Sequence, residues 1–191
     1  MVPAEILEHI DRTIKQVWKD NISKDYSSDY MLKEDSLKCC FYYHLRRKLE
    51  KILQEYHLRI YTEYYFSDLG YRADLAIVQI DPHSEEEYLE RAVIDIIAII
   101  ELKFTANSSS ATANWVKQDI KKLKNYIQNK NLSCQLYFAI IYEVECSSLA
   151  WMDKRSTNNW ANGYVTELNA GYINGIMKFE VNTYNNLSSE I

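Results

Sequence analysis

The chain is poor in the residues that mark disordered, membrane-spanning or disulfide-stapled proteins. Two prolines and four glycines among 191 residues argue against disorder and long flexible linkers. Uninterrupted apolar runs such as Ile96 to Ile100 are far too short to span a bilayer. The first residues form a charged amphipathic stretch, not a signal peptide. Four cysteines include the adjacent pair Cys39 and Cys40 but no Cys-x-x-Cys spacing. A disulfide framework or zinc site is therefore not expected, and a cytoplasmic location is the default. Basic charge is also short: the net charge is −5 and the pI about 5.4. A nucleic-acid partner would have to be met by local basic patches or through a metal.

What remains is ordinary globular composition, 47% apolar and 26% charged, enough for one domain with a real core. Sixteen tyrosines stand out. They suit strand faces and amphipathic edges, and a few could stack on bases. The spacing of Ile6, Ile10, Ile14 and Val17 predicts a helix over Pro3 to Trp18. Asn21 to Asp29 is polar and reads as turns. A second helix is expected to run to about Tyr56 on the stripe Leu37, Phe41, Leu45, Leu49 and Ile52, with Lys38, Arg46, Arg47 and Lys51 off it. Strands are expected over Arg59 to Phe66, Tyr71 to Ile80 and Ala92 to Phe104, with an exposed acidic connection from Asp81 to Arg91. Ser108 to Asn114 leads into a helix ending near Asn129. Ser133 to Glu143 is a further strand, and Asn174-Gly175 predicts a hairpin of Tyr164 to Ile173 with Ile176 to Val181. This order implies an α/β fold with a mixed central sheet flanked by helices.

Glu101-Leu102-Lys103 is the only Glu-x-Lys in the chain and ends its most apolar strand. Alternate side chains of a strand share a face, so Glu101 and Lys103 project together where charge is costly unless paired or metal-bound. A second carboxylate, Asp74, lies on the preceding strand. In an antiparallel pair, facing residues have numbers that add to a near constant, 175 for Asp74 with Glu101. That constant centres the turn inside the polar Asp81 to Arg91 segment. The two carboxylates would then face each other with Cβ atoms ~5 Å apart. Like charges so close call for a cation, and oxygen donors suit Mg²⁺ or Mn²⁺. Lys103 can reach the same space, to orient or help deprotonate a water or to offset phosphate charge.

These residues and this element order resemble the PD-(D/E)xK nuclease superfamily, the restriction-endonuclease-like fold. The resemblance implies an αβββαβ core over about residues 30–144 of a single domain, 1–191, with a C-terminal extension over 145–191 that carries the β-hairpin. Asp74 and Glu101 would be the metal ligands and Lys103 the residue acting on water or phosphate. Glu34, on the first core helix, matches an additional acidic position. Asp119 and Lys122 fall in a helical segment that resembles one carrying a polar site residue in some members. Ala73 replaces the nominal proline. The implied activity is Mg²⁺-dependent hydrolysis of nucleic acid, DNA ahead of RNA. The alternative is a member without catalysis that serves as a binding or regulatory module. The region after Cys146, with Trp151 and Trp160, offers a recognition surface or a homodimer contact.

Each residue also has a plainer reading. Asp74 could pair with Arg72, and Glu34 could simply favour a helix N-terminus. Glu101 with Lys103 could be a solvated strand end. Asp119 and the lysines 117, 121, 122 and 124 could be solvated helix charges. The four histidines show no partner pattern.

Overall fold

A computed structural model of the protein describes residues 2–67, 69–106, 110–130 and 134–187. Six strands form one mixed sheet whose spatial order follows the chain. They are β1 (Leu58–Phe66), β2 (Tyr71–Ile80), β3 (Val93–Thr105), β4 (Gln135–Glu145), β5 (Val165–Ile173) and β6 (Ile176–Thr183). β3 runs parallel to β4, and β4 to β5; the other three pairings are antiparallel. The fold is thus α/β with helices on a mixed sheet, as expected. Asn174 and Gly175 close the β5–β6 hairpin with φ of 53° and 73°. Both lie in the left-handed region that this two-residue turn requires.

β3 is covered on both faces, which is why Ile97 to Leu102 are all buried. One face packs under α1 (Ala4–Gln16) and α3 (Glu34–Lys48), where Ile14, Leu37, Phe41 and Leu45 meet Leu75, Ile77 and Ile100. The other packs under α5 (Ser110–Lys130), where Val116, Leu123 and Tyr126 meet Ile99, Phe138 and Ile140. Leu75 faces Ile100, the register expected for the β2–β3 pair. The helix lead-in from Ser108 and the start of a strand at Ser133 lie outside the described residues.

Two stretches depart from the sequence pattern. Asn21 to Asp29 is mostly helical: α1 continues through a π-helical turn, Val17–Ile22, into α2 (Ser23–Ser27). The wider turn keeps both Trp18 and Ile22 fully buried, so core packing overrides the polar composition. The helix expected to reach Tyr56 is broken at Leu49, and α4 (Glu50–Glu55) follows. No Gly or Pro marks the break. Leu49 and Leu53 are both buried in the core, which the change of direction allows.

Candidate active site

The β2–β3 backbone ladder ends at Leu75 and Ile100. Beyond it, the Asp74 carboxylate takes over: Oδ2 accepts the Leu102 backbone N–H at 2.8 Å. Asp74 Oδ1 lies 3.0 Å from Lys38 Nζ, one turn after Glu34 on α3. Lys38 also pairs with Glu63 of β1. Glu63 has φ of 52°, and the β1–β2 ladder passes from Thr62–Leu75 to Tyr64–Ala73 without a Glu63–Asp74 pair. Strained backbone of this kind gathers at functional sites. Arg72 takes no part; it lies over the Tyr65 ring.

Glu101, the next charged residue on this end of the sheet, is only 1% exposed. Its Oε1 accepts from the Tyr126 hydroxyl at 2.9 Å, and its Oε2 is 3.3 Å from Lys122 Nζ. Both partners lie on α5, one turn apart. Burial pushes the Glu101 carboxyl up to about 8; Lys122 and Tyr126 oppose this, while Asp74 and Asp119 reinforce it.

Lys103 bridges the two helices. Its Nζ is 3.0 Å from Glu34 on α3 and 3.3 Å from Asp119 on α5. Burial alone would lower the Lys103 ammonium, but Asp119 and Glu34 outweigh it and hold the group above its ordinary value. Asp119 is 6% exposed and also meets Lys122 at 3.1 Å. Its buried Oδ2 is the oxygen that faces Lys103. Neither Asp119 nor Lys122 is a solvated helix charge, whereas Lys117 and Lys121 are exposed.

All six residues singled out in the sequence therefore lie at one end of the sheet: Glu34, Lys103, Asp119, Lys122 and Glu101 form one chain of ion pairs, and Asp74 is held apart from it by Lys38 and the Leu102 N–H. Three further members escape sequence reasoning. Lys38 lies off the apolar stripe of its helix, which suggests solvent, yet it is four residues after Glu34 and shares its face. Tyr126 is four residues after Lys122 and seven after Asp119, again one helical face. Nothing in the sequence marks Glu63, because its role depends on an unusual backbone angle. His44, which shows no partner pattern in the sequence, does have a partner: its Nε2 meets Asp25 at 2.7 Å, away from this site.

Five carboxylates here (Glu34, Glu63, Asp74, Glu101, Asp119) face three ammoniums (Lys38, Lys103, Lys122). With all eight groups ionised, two negative charges are left over, the charge of one divalent cation. Among the described residues, no group of three His, Cys, Asp or Glu side chains could hold a metal by itself. Magnesium asks for less: one or two carboxylates, with waters and substrate phosphate completing the shell. Asp74 and Glu101, hard oxygen donors on neighbouring strands, would be the pair to hold such an ion, in exchange for their contacts with Lys38 and Lys122. The Glu101 carboxyl is raised first by burial and further by Asp74 and Asp119, so a cation beside it would favour its anionic form.

Trp151 packs edge-on against Tyr142 at 5.2 Å, and its backbone N–H, with that of Met152, donates to buried Glu167. The segment after Cys146 is thereby tied to the sheet. Among the described residues, no helix is long and apolar enough to cross a membrane. No protein-family model, curated protein or solved structure matches the chain.

Proposed function

We propose that the protein is a metal-dependent nuclease built on a restriction-endonuclease-like core. One observation carries this reading: Asp74, Glu101 and Lys103 converge, with acidic surplus, at the end of a strand that is otherwise apolar. Nothing in the packing of the sheet requires ionisable groups there, and burying them is costly. Asp74 and Glu101 would hold Mg²⁺ or Mn²⁺. A divalent ion at that position supplies a bound water of lowered pKa and neutralises phosphate charge.

The chain's own residues then divide the work. Lys103, held protonated by Glu34 and Asp119, is a donor and a positive charge, so it orients water or stabilises the phosphate oxygens; it does not serve as the base. Glu34 and Asp119 position Lys103 between two helices. Lys122 and Tyr126 position Glu101 through one hydrogen-bonded contact to each of its oxygens. Lys38 positions Asp74 through Oδ1, and the Leu102 N–H holds its Oδ2.

A second reading rests on a different feature of the site: each carboxylate already has an ammonium partner. A nuclease-like fold that binds without catalysis would look the same in its metal-free form. Cleavage assays on single-stranded and duplex DNA and RNA with Mn²⁺ separate the two. The wild type is expected to cleave at least one substrate and to stop in chelator. Lys103→Ala is expected to lose at least 100-fold in turnover while keeping the metal-induced rise in melting temperature. A wild type inert on all four substrates favours the binding module; a Lys103→Ala variant as active as wild type removes Lys103 from the chemistry.

A further inference from the structure

The far end of α3 carries a second feature that the metal cluster does not use. A cleft of about 690 Å³ opens between α3, α4 and the edge strand β1, with Tyr42, Tyr43, Arg46, Arg47 and Arg59 on its walls and Glu50 among them. Arg46 donates to the Tyr42 hydroxyl at 3.2 Å and lies over its ring; Arg47 does the same with Tyr43 at 2.9 Å. Each guanidinium is thus braced by the tyrosine one turn before it. Among the described residues, none of the three arginines has a carboxylate partner within ion-pair distance. In a chain with net charge −5, three such guanidiniums around one cleft are notable. A braced planar fork is preorganised for phosphate.

The cleft connects to the metal cluster along one helix. Glu34, Lys38, Tyr42 and Arg46 follow one another every fourth residue on α3, the first two in the ion pairs of the cluster and the last two on the cleft wall. Arg59 of β1 lines the same cleft. Each step of four helical residues rises ~6 Å. From Glu34 to Arg46 the track is about 18 Å long.

We propose that this track binds single-stranded nucleic acid, with phosphates on Arg46, Arg47 and Arg59 and bases against Tyr42 and Tyr43. It rests on the nuclease reading and names its substrate class. Aromatic rings beside braced cations suit unstacked bases on a flexible backbone. A duplex hides its base faces and would leave the rings without partners.

The test is fluorescence anisotropy with a labelled single-stranded 12-mer and its duplex, at low salt and in chelator so that cleavage plays no part. Wild type should prefer the single strand. Arg46→Glu, Arg47→Glu and Arg59→Glu combined should weaken binding at least tenfold. The reversal Lys154→Glu, Arg155→Glu and Lys178→Glu, of equal charge change but on residues elsewhere, should change it less than twofold. Because the arginine variant no longer neutralises three phosphates, its slope of log affinity against log salt should flatten by about 2. Circular dichroism checks the fold; should the triple variant fail to fold, Arg47→Gln with Arg59→Gln should still weaken binding several-fold. Equal losses in both triple variants, preference for duplex, or no binding by wild type would each overturn the track. Binding without any Mn²⁺-dependent cleavage leaves the track standing and removes the nuclease reading alone.

Discussion

Glu101 concentrates the chemistry of this protein in one carboxyl group. At 1% exposure its charged form has lost most of its hydration, and two other carboxylates act on it. Between its unfolded value, about 4.3–4.5, and its folded value, about 8, the native state holds a proton that the unfolded chain has released. Stability of the metal-free protein therefore falls from this group as pH rises through that window, and levels off above it. Glu101→Gln keeps an amide oxygen for Tyr126 and stays neutral at every pH. The variant is expected to lose the downward slope, matching wild type near pH 5 and exceeding it at pH 9, as read by urea melts in chelator. If wild type is instead more stable at pH 9 than its variant, Glu101 is stabilised as an anion by Lys122 alone. The same proton links to metal: its release on binding makes affinity rise with pH up to about 8.

At the scale of elements, α1 is locked to the sheet by polar contacts as well as apolar ones. Buried Asp11 accepts from Lys15 at 2.7 Å, from the Tyr137 hydroxyl of β4 at 2.7 Å and from Asn185 at 2.8 Å. Removing the carboxylate takes a close counter-charge from a buried ammonium and an acceptor from two buried donors, so Asp11→Ala should cost about 3–5 kcal/mol, seen as a lower denaturant midpoint. A loss below ~1 kcal/mol would mean that α1 docks by its apolar stripe alone. That stripe, Ile10 and Ile14, is readable from spacing; Asp11 and Lys15 are not, because i, i+4 charges look the same on a solvated face. The wider lesson has the same form. β2, β3 and the β5–β6 hairpin are legible because alternation, an apolar run and Asn-Gly each demand one backbone. The register that brings Asp74 towards Glu101 follows from the position of the polar connection. The π-helical turn at Val17–Ile22 and the break at Leu49 stay hidden, since both are set by which apolar residues reach the core. Lys38 and Tyr126 sit one helical turn from residues that the sequence does mark, and finding them needs only the helical face to be extended.

Across the whole molecule, charge is divided unequally: an acidic surplus at the end of β3, braced arginines about 18 Å along α3, and a net charge of −5 overall. A divalent ion at Asp74 and Glu101 would cancel the surplus, and its binding energy would add to folding. At ~100 times Kd the gain is about 2.7 kcal/mol, which for a chain of this size raises the melting temperature by roughly 5–10 °C. Wild type should show this rise with Mn²⁺ near pH 8, and Asp74→Asn and Glu101→Gln should show less than a third of it. In chelator the two variants should move in opposite directions. Asp74→Asn keeps an acceptor for the Leu102 N–H but deprives Lys38 of a counter-charge, costing about 1 kcal/mol. Glu101→Gln relieves a buried carboxylate and melts at or above wild type. A set of purely structural ion pairs predicts otherwise: both variants melt lower in chelator and Mn²⁺ changes nothing. Melts of the three proteins with and without Mn²⁺ decide between them, and a wild type without metal response would leave the acidic surplus as a feature of folding alone.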